Sequence, residues 1–357
     1  MAATAVLCGC QTTAYYAQAI RGQTALLVNQ TSVERLLAEP KTPPALRDHL
    51  RLAGDLCQFA RDELHLKVDG NYRRYVEVGR KFVVWNVEAA PEFSLEARRW
   101  WYPFVGRLSY RGFFVEASAR ACARELEHDG LDVMIGGVPA YSTLGWFRDP
   151  LLSTFLSDPE AELAETIFHE LAHEKVFARG DTDYNEAFAT SVGEEGVRRW
   201  FRARRDEAAA RAYEASRLHL REFSRLVARA RDQLAALYGD ELSPEGTLRA
   251  TTRKQAIPRS ELRREKARIL AQLKADYARA RESWGTDAEY DAWFAAPLNN
   301  ARLNSVATYY DLVPGFERLL AADGGDLDRF YQTAQRWSKS PKAERRHILD
   351  SPKDPTP

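Results

Sequence analysis

The stretch Glu165-Thr166-Ile167-Phe168-His169-Glu170-Leu171-Ala172-His173-Glu174 constrains this chain more than any other. Leu163, Ile167, Phe168, Leu171 and Ala172 form an apolar stripe at helical spacing. Asp158-Pro159 supplies an N-cap and a first-turn proline, and Gly180 supplies a stop, which predicts one helix of about twenty residues. Four residues advance a helix by about 400° and about 6 Å, so His169 and His173 share one face, one turn apart. A tetrahedral Zn²⁺ accepts two imidazole nitrogens at that separation. Glu170, about 100° further round, is placed to take a proton from water at the metal. Two buried imidazoles without a metal would be a costly arrangement.

The third ligand is less directly written. Val176 and Arg179 stand where a metzincin continuation needs Gly and His, and the next histidine is the distant His219. Glu186, in Asp183-Tyr184-Asn185-Glu186-Ala187-Phe188-Ala189-Thr190, opens a second helix expected to run back beside the first. Two uses of it stand side by side: a metal-ligating carboxylate, or the last member of a capping box begun by Asp183. Glu194 and Glu195, about two turns on, are the replacement ligands. Thr190, one turn after Glu186, and Asn185 are candidates to orient a ligand from behind.

His169-Glu170-Leu171-Ala172-His173 is the H-E-x-x-H pattern of zinc peptidases, and with Asn185-Glu186-Ala187-Phe188-Ala189 it resembles the Glu-zincins. More specifically, the chain resembles a bacterial family of predicted aminopeptidases, envelope lipoproteins by expectation. That resemblance runs from Cys10-Gln11-Thr12-Thr13-Ala14-Tyr15-Tyr16 through Val84-Trp85-Asn86-Val87 and Tyr110-Arg111-Gly112-Phe113-Phe114. It continues through Ala140-Tyr141-Ser142-Thr143-Leu144-Gly145-Trp146-Phe147 to Leu298-Asn299-Asn300-Ala301 and Thr308-Tyr309-Tyr310-Asp311. It implies a zincin-like core, a zinc cofactor and a peptide substrate. It also implies an edge strand beside the cleft, so that Ala140, Tyr141 and Ser142 are expected to pair with the substrate backbone by strand addition. Pro139 suits an edge.

With 357 residues and 45% hydrophobic content, the chain can bury one sizeable core or two. Its 51 basic and 51 acidic residues balance, giving no argument for nucleic acid. No apolar run reaches the roughly 18 residues of a membrane span. Residues 1–10 read as the end of a lipoprotein signal, with Leu7-Cys8-Gly9-Cys10 matching a lipobox and Cys10 as the lipidated residue, although no Lys or Arg precedes it. The expected location is therefore the bacterial envelope, on the periplasmic side. Cys57 and Cys122 are a pair that an oxidising compartment could join.

Helices are expected over Tyr15–Val28, Ser32–Leu37, Pro44–Leu66 and Arg120–Asp129. Strands are expected within 72–89, around Trp100–Tyr110, and over Leu131–Ile135, ended by Gly136-Gly137. Glu194–Gly239 and Ser260–Trp284 read as a long helical hairpin whose arginines, interleaved with acids, form a solvated face. Residues beyond Ser338 read as a tail. Asn299–Pro314, rich in amides and phenols, reads as a polar wall in which Tyr309 or Tyr310 would stabilise an oxyanion.

The expected fold class is thus α+β and predominantly α-helical, a zincin-like core beside a small sheet. The expected domains are a signal remnant (1–10), a catalytic domain (11–195 with 286–338), a helical hairpin insertion (196–285) and a tail (339–357). The expected activity is peptide-bond hydrolysis by one zinc held by His169, His173 and Glu186, with Glu170 as general base. The alternatives are an amidase acting on peptidoglycan cross-links and a non-catalytic zinc-containing lipoprotein. An aminopeptidase also needs a carboxylate for the substrate α-ammonium, and Glu194, Glu195, Asp183 and Asp311 are open choices. The sequence carries no signal for oligomeric state.

Overall fold

In the computed structural model, the residues described are 2–102, 106–140, 148–243, 248–250, 257–285 and 290–350; side chains 2–14, 242, 248, 250, 308 and 309 fall outside that description. The chain begins α1 (Ala2–Val28), β1 (Thr31–Ser32), α2 (Val33–Ala38), α3 (Pro44–Asp62), β2 (Arg74–Val76), β3 (Val84–Pro91), β4 (Trp100–Tyr102), β5 (Gly106–Leu108) and β6 (Tyr110–Phe113). It continues α4 (Glu116–His128), β7 (Leu131–Val138), β8 (Leu151–Leu152), α5 (Ser153–Leu156), α6 (Glu160–Ala172), α7 (Thr182–Arg204) and α8 (Glu207–Tyr238). It closes β9 (Asp240–Leu242), β10 (Leu248–Ala250), α9 (Arg259–Ser283), α10 (Asp291–Ala295), α11 (Asn300–Tyr310), α12 (Val313–Ala322), α13 (Leu327–Trp337) and α14 (Lys342–Asp350). The class is α+β with helix predominating, as the sequence suggests.

The central sheet has the order β6-β3-β7, antiparallel throughout. Alternation gives it two different faces. Trp85, Val87, Ala89 and Phe113 turn towards α4, where Ala119, Ala123 and Leu126 complete a small core. Val84, Asn86 and Glu88 turn the other way, with Tyr110 and Met134 paired directly across from Glu88. β7 is an edge strand, and it runs through Gly136-Gly137 to Val138, past the stop expected there. The reason lies in packing: a Cβ on Gly137 would run into the Phe82 ring, so the glycine serves close approach and not chain reversal.

Two larger cores flank this sheet. One joins α3, α6, α7, α12 and α13 through Phe168, Phe188, Phe316 and Phe330, with Phe188 stacked on Phe330 at 5.6 Å. The other joins α8, α9, α10 and α11 through Phe223, Leu234, Leu273, Tyr277 and Phe294. The expected hairpin helices are α8 and α9, linked through the β9–β10 pair. The expected helix from Glu194 onward is broken at Arg205, which adopts φ 56 and separates α7 from α8.

Two expectations fail for tertiary reasons. The first helix of the motif ends at Ala172, not near Gly180. The Asn185 side chain bonds both the amide of Ala178 (2.7 Å) and its carbonyl (3.0 Å), while Asn71 donates to Glu174 at 2.7 Å, so 174–181 reverse instead of continuing the helix. Gly180, with φ +76, sits in that reversal. Residues beyond Ser338 are not a tail: α14 packs on α12, and its Arg345 and Leu349 are buried. At the other end, α1 runs unbroken from Ala2, and no helix among the described residues is long and apolar enough to cross a membrane. Cys57 and Cys122 are free thiols in separate cores.

Candidate metal centre and active-site cleft

α6 and α7 lie antiparallel with almost no side chain between them at two points. A Cβ on Gly193 would stand 3.1 Å from the Glu165 carbonyl oxygen, and one on Gly196 would stand 2.5 Å from the Phe168 ring. This close approach brings the first turns of α7 against the last turn of α6. Glu186 Oε2 is 3.2 Å from His169 Nε2 and 3.7 Å from His173 Nε2, and the two Nε2 atoms are 3.2 Å apart.

The helix carrying Glu186 starts at Asp181, which makes no side-chain cap, and Asp183 lies inside it. The capping-box use of Glu186 is therefore excluded by position as well as by contact. Burial opposes ionisation of Glu186, but hydrogen bonds from His169 and His173 outweigh it and keep the carboxyl well below the usual range. Burial tends to keep His173 neutral, and Glu186 overcomes this to raise its pKa.

The donor set fits a divalent metal. Ligand atoms of His169, His173 and Glu186 all lie within 4.8 Å of one another, and two imidazole nitrogens with one carboxylate oxygen are ordinary zinc ligands. No further His, Cys, Asp or Glu joins this group among the described residues. Glu194 meets Arg198 at 3.1 Å and Arg217 at 3.8 Å, and Glu195 meets Arg199 at 2.8 Å, so both replacement ligands are committed elsewhere.

These three residues lie in a cleft of about 1050 Å³. Its floor is α6 and α7; one wall is the sheet face bearing Val84, Asn86, Tyr110, Gly112 and Met134; the other is Arg217, Leu220 and Phe223 of α8 with Trp293, Val306 and Tyr310. Glu170 lies in the cleft too, and burial raises its pKa while His169 and His173 pull it back. Glu165 lines the cleft but is held by Tyr213 at 2.8 Å and Arg217 at 2.9 Å. The arginines of α7 and α8 thus serve partly as inward ion pairs, not only as a solvated face.

The other expected site residues divide. Ala140 is buried and lines the cleft, whereas Tyr141 and Ser142 lie outside the described residues. Tyr310 lines the cleft near Arg217, and the side chain of Tyr309 lies outside the description. Thr190 is buried one turn beyond Glu186 with no hydrogen bond to the three convergent residues. Asn185 braces the α6–α7 reversal through Ala178 and does not bond a ligand. Cys10 falls within α1, its side chain outside the description.

Tyr110 is the residue the sequence reading passed over. It faces the cleft from β6; burial raises its pKa, and the carboxylates of Glu186, Glu88 and Glu170 are near enough to raise it further. The available signal was the alternation of Tyr110 and Gly112 on one face against Arg111 and Phe113 on the other.

Residues 14–349 match the family model described as "Putative aminopeptidase". The chain belongs to that family. No curated protein and no solved structure matches. The match spans the cleft and the convergent residues and reaches into α14, so peptide hydrolysis is the activity the family description gives in outline.

Proposed function

We propose that this chain is a zinc-dependent aminopeptidase with a zincin-like core, acting on peptides in the bacterial envelope and tethered there through Cys10. The observation that carries the enzymatic part is the convergence of His169, His173 and Glu186 on one point inside an open cleft. A structural zinc normally takes four protein ligands, and a set of three leaves a position for water and substrate.

Bound zinc would supply Lewis acidity and bring the pKa of water towards neutrality. Glu170 takes the proton from the attacking water and delivers it to the leaving amine. Burial makes its carboxylate a stronger base than one in water, which favours the first transfer. The phenol of Tyr110, kept protonated by burial, donates to the carbonyl oxygen as negative charge develops there. The β7 edge and Ala140 give an extended peptide its register.

Metal analysis of the purified protein and its variants tests this reading. About one zinc per chain is expected, lost in His169→Ala and in His173→Ala, while Glu170→Gln keeps zinc and loses turnover. Full zinc content in both histidine variants, or near-normal turnover by Glu170→Gln, overturns it.

A further inference from the structure

A second cavity, of about 110 Å³, adjoins the cleft. Gly180 and Thr182 line both, and the segment 107–110 sends alternate side chains into the two: Leu108 and Tyr110 into the cleft, Arg107 and Ser109 into the smaller pocket. Further walls come from α8, α11 and α14.

This pocket is basic. Arg99, Arg107, Arg231, Lys342 and Arg346 line it, against two acids, Asp183 and Asp311. Those acids are open choices for an α-ammonium in the sequence, but the structure commits both to cations. Asp183 meets Lys342 at 3.3 Å, and Asp311 meets Arg231 at 3.4 Å and Arg346 at 3.7 Å. Counting the partners that stand just outside, Asp181, Asp350 and Arg345, six cations face four carboxylates. Arg107 is exposed and pairs with no acid among the described residues. Nε of Arg231 is buried and donates to no acceptor. The pocket therefore holds surplus positive charge and an unanswered N–H donor, which suit a carboxylate and repel an ammonium group.

The distance to the convergent ligands sets the length of what can span the two. Thr182 precedes Glu186 by one helical turn, roughly 6 Å. An extended peptide advances about 3.3–3.6 Å per residue, so a chain whose first carbonyl sits at His169, His173 and Glu186 reaches the mouth of the pocket within about two further residues.

We propose that this pocket binds the free C-terminal carboxylate of the peptide substrate, so that the enzyme prefers short peptides of about three residues. This rests on the peptidase reading above and adds to it the length and far end of the substrate. Arg107 and Arg231 supply the charge-assisted donors.

Calorimetric binding to the zinc-loaded Glu170→Gln protein, which leaves peptides intact, compares Leu-Gly-Gly, its C-terminal amide and the C-terminal amide of Leu-Gly-Glu. The free acid should bind at least about tenfold tighter than either amide. Arg107→Gln should lose most of that preference at unchanged zinc content and melting temperature, and Arg107→Lys should keep it. A preference unchanged in Arg107→Gln, or none with Arg107 present, overturns the proposal. Binding of the Leu-Gly-Glu amide as tight as that of the free acid also overturns it, because the pocket then reads an acidic side chain. Hydrolysis is read separately: zinc-loaded protein with Glu170 in place that cleaves none of the three overturns the peptidase reading, whatever the binding preference.

Discussion

Arg345 and Asp181 form a buried ion pair that ties α14 to the first residue before α7. Nε and Nη2 of Arg345 both donate to Asp181 Oδ2, at 2.9 and 2.8 Å, with both side chains under one-tenth exposed. Arg345→Ala leaves the Asp181 carboxylate buried beside Lys342 alone, a change expected to cost about 3–5 kcal/mol of folding free energy. Chemical denaturation measures it. Because Asp181 begins the helix that carries Glu186, metal affinity should fall as well, read by competition with a chromogenic chelator.

Gly196 makes a steric prediction. Its missing Cβ would lie 2.5 Å from the ring of Phe168 and 2.8 Å from Leu64 Cδ1, both fully buried. Gly196→Ala should destabilise by about 1–3 kcal/mol through overpacking and push α7 away from α6. A thermal midpoint equal to that of the unchanged protein would show that the two helices have slack.

Glu186→Gln replaces an anionic oxygen with a neutral one at nearly constant shape. Zinc affinity is expected to fall about tenfold or more. Since Glu186 does not cap its helix, the helix itself should persist, and the circular dichroism of the zinc-free variant checks this.

Tyr110→Phe removes one hydroxyl from the sheet wall. Turnover should drop by about 10²–10³, with zinc content and KM little changed. Equal loss in Tyr310→Phe and none in Tyr110→Phe would transfer the role to α11.

Glu88 also predicts a pH dependence of stability. Its folded pKa of about 8 lies above the ordinary 4.5, so between those values the folded chain keeps a proton that the unfolded chain releases. The stability associated with the protonated form is complete below about 4.5 and is lost as pH rises towards 8. Glu88→Gln removes that loss. The variant should melt roughly 1–4 °C above the unchanged protein at pH 9 and show little gain at pH 4.5.

Much of the site could be read from local pattern, because the spacing of His169, Glu170 and His173 is a property of one helix and the apolar stripe beside it marks that helix. The convergence of Glu186 depends on more than spacing. Gly193 and Gly196 let two helices touch, and nothing in a glycine names its neighbour. The early end of α6 was hidden for a similar reason, since Asn185 stops it from a helix not yet formed when the sequence is read in order. Arg345 and Leu349 sit in a stretch whose prolines suggest a tail, and their partners Asp181 and Gly315 are far away in the chain.

α8 enters the first core at Tyr213 and the second from Leu220 to Tyr238, so a single unbroken helix joins the two cores and lines one wall of the cleft. Its 32 residues make a rod of roughly 48 Å. A rod does not fold at its middle, so the two cores it joins are held at one separation along its length.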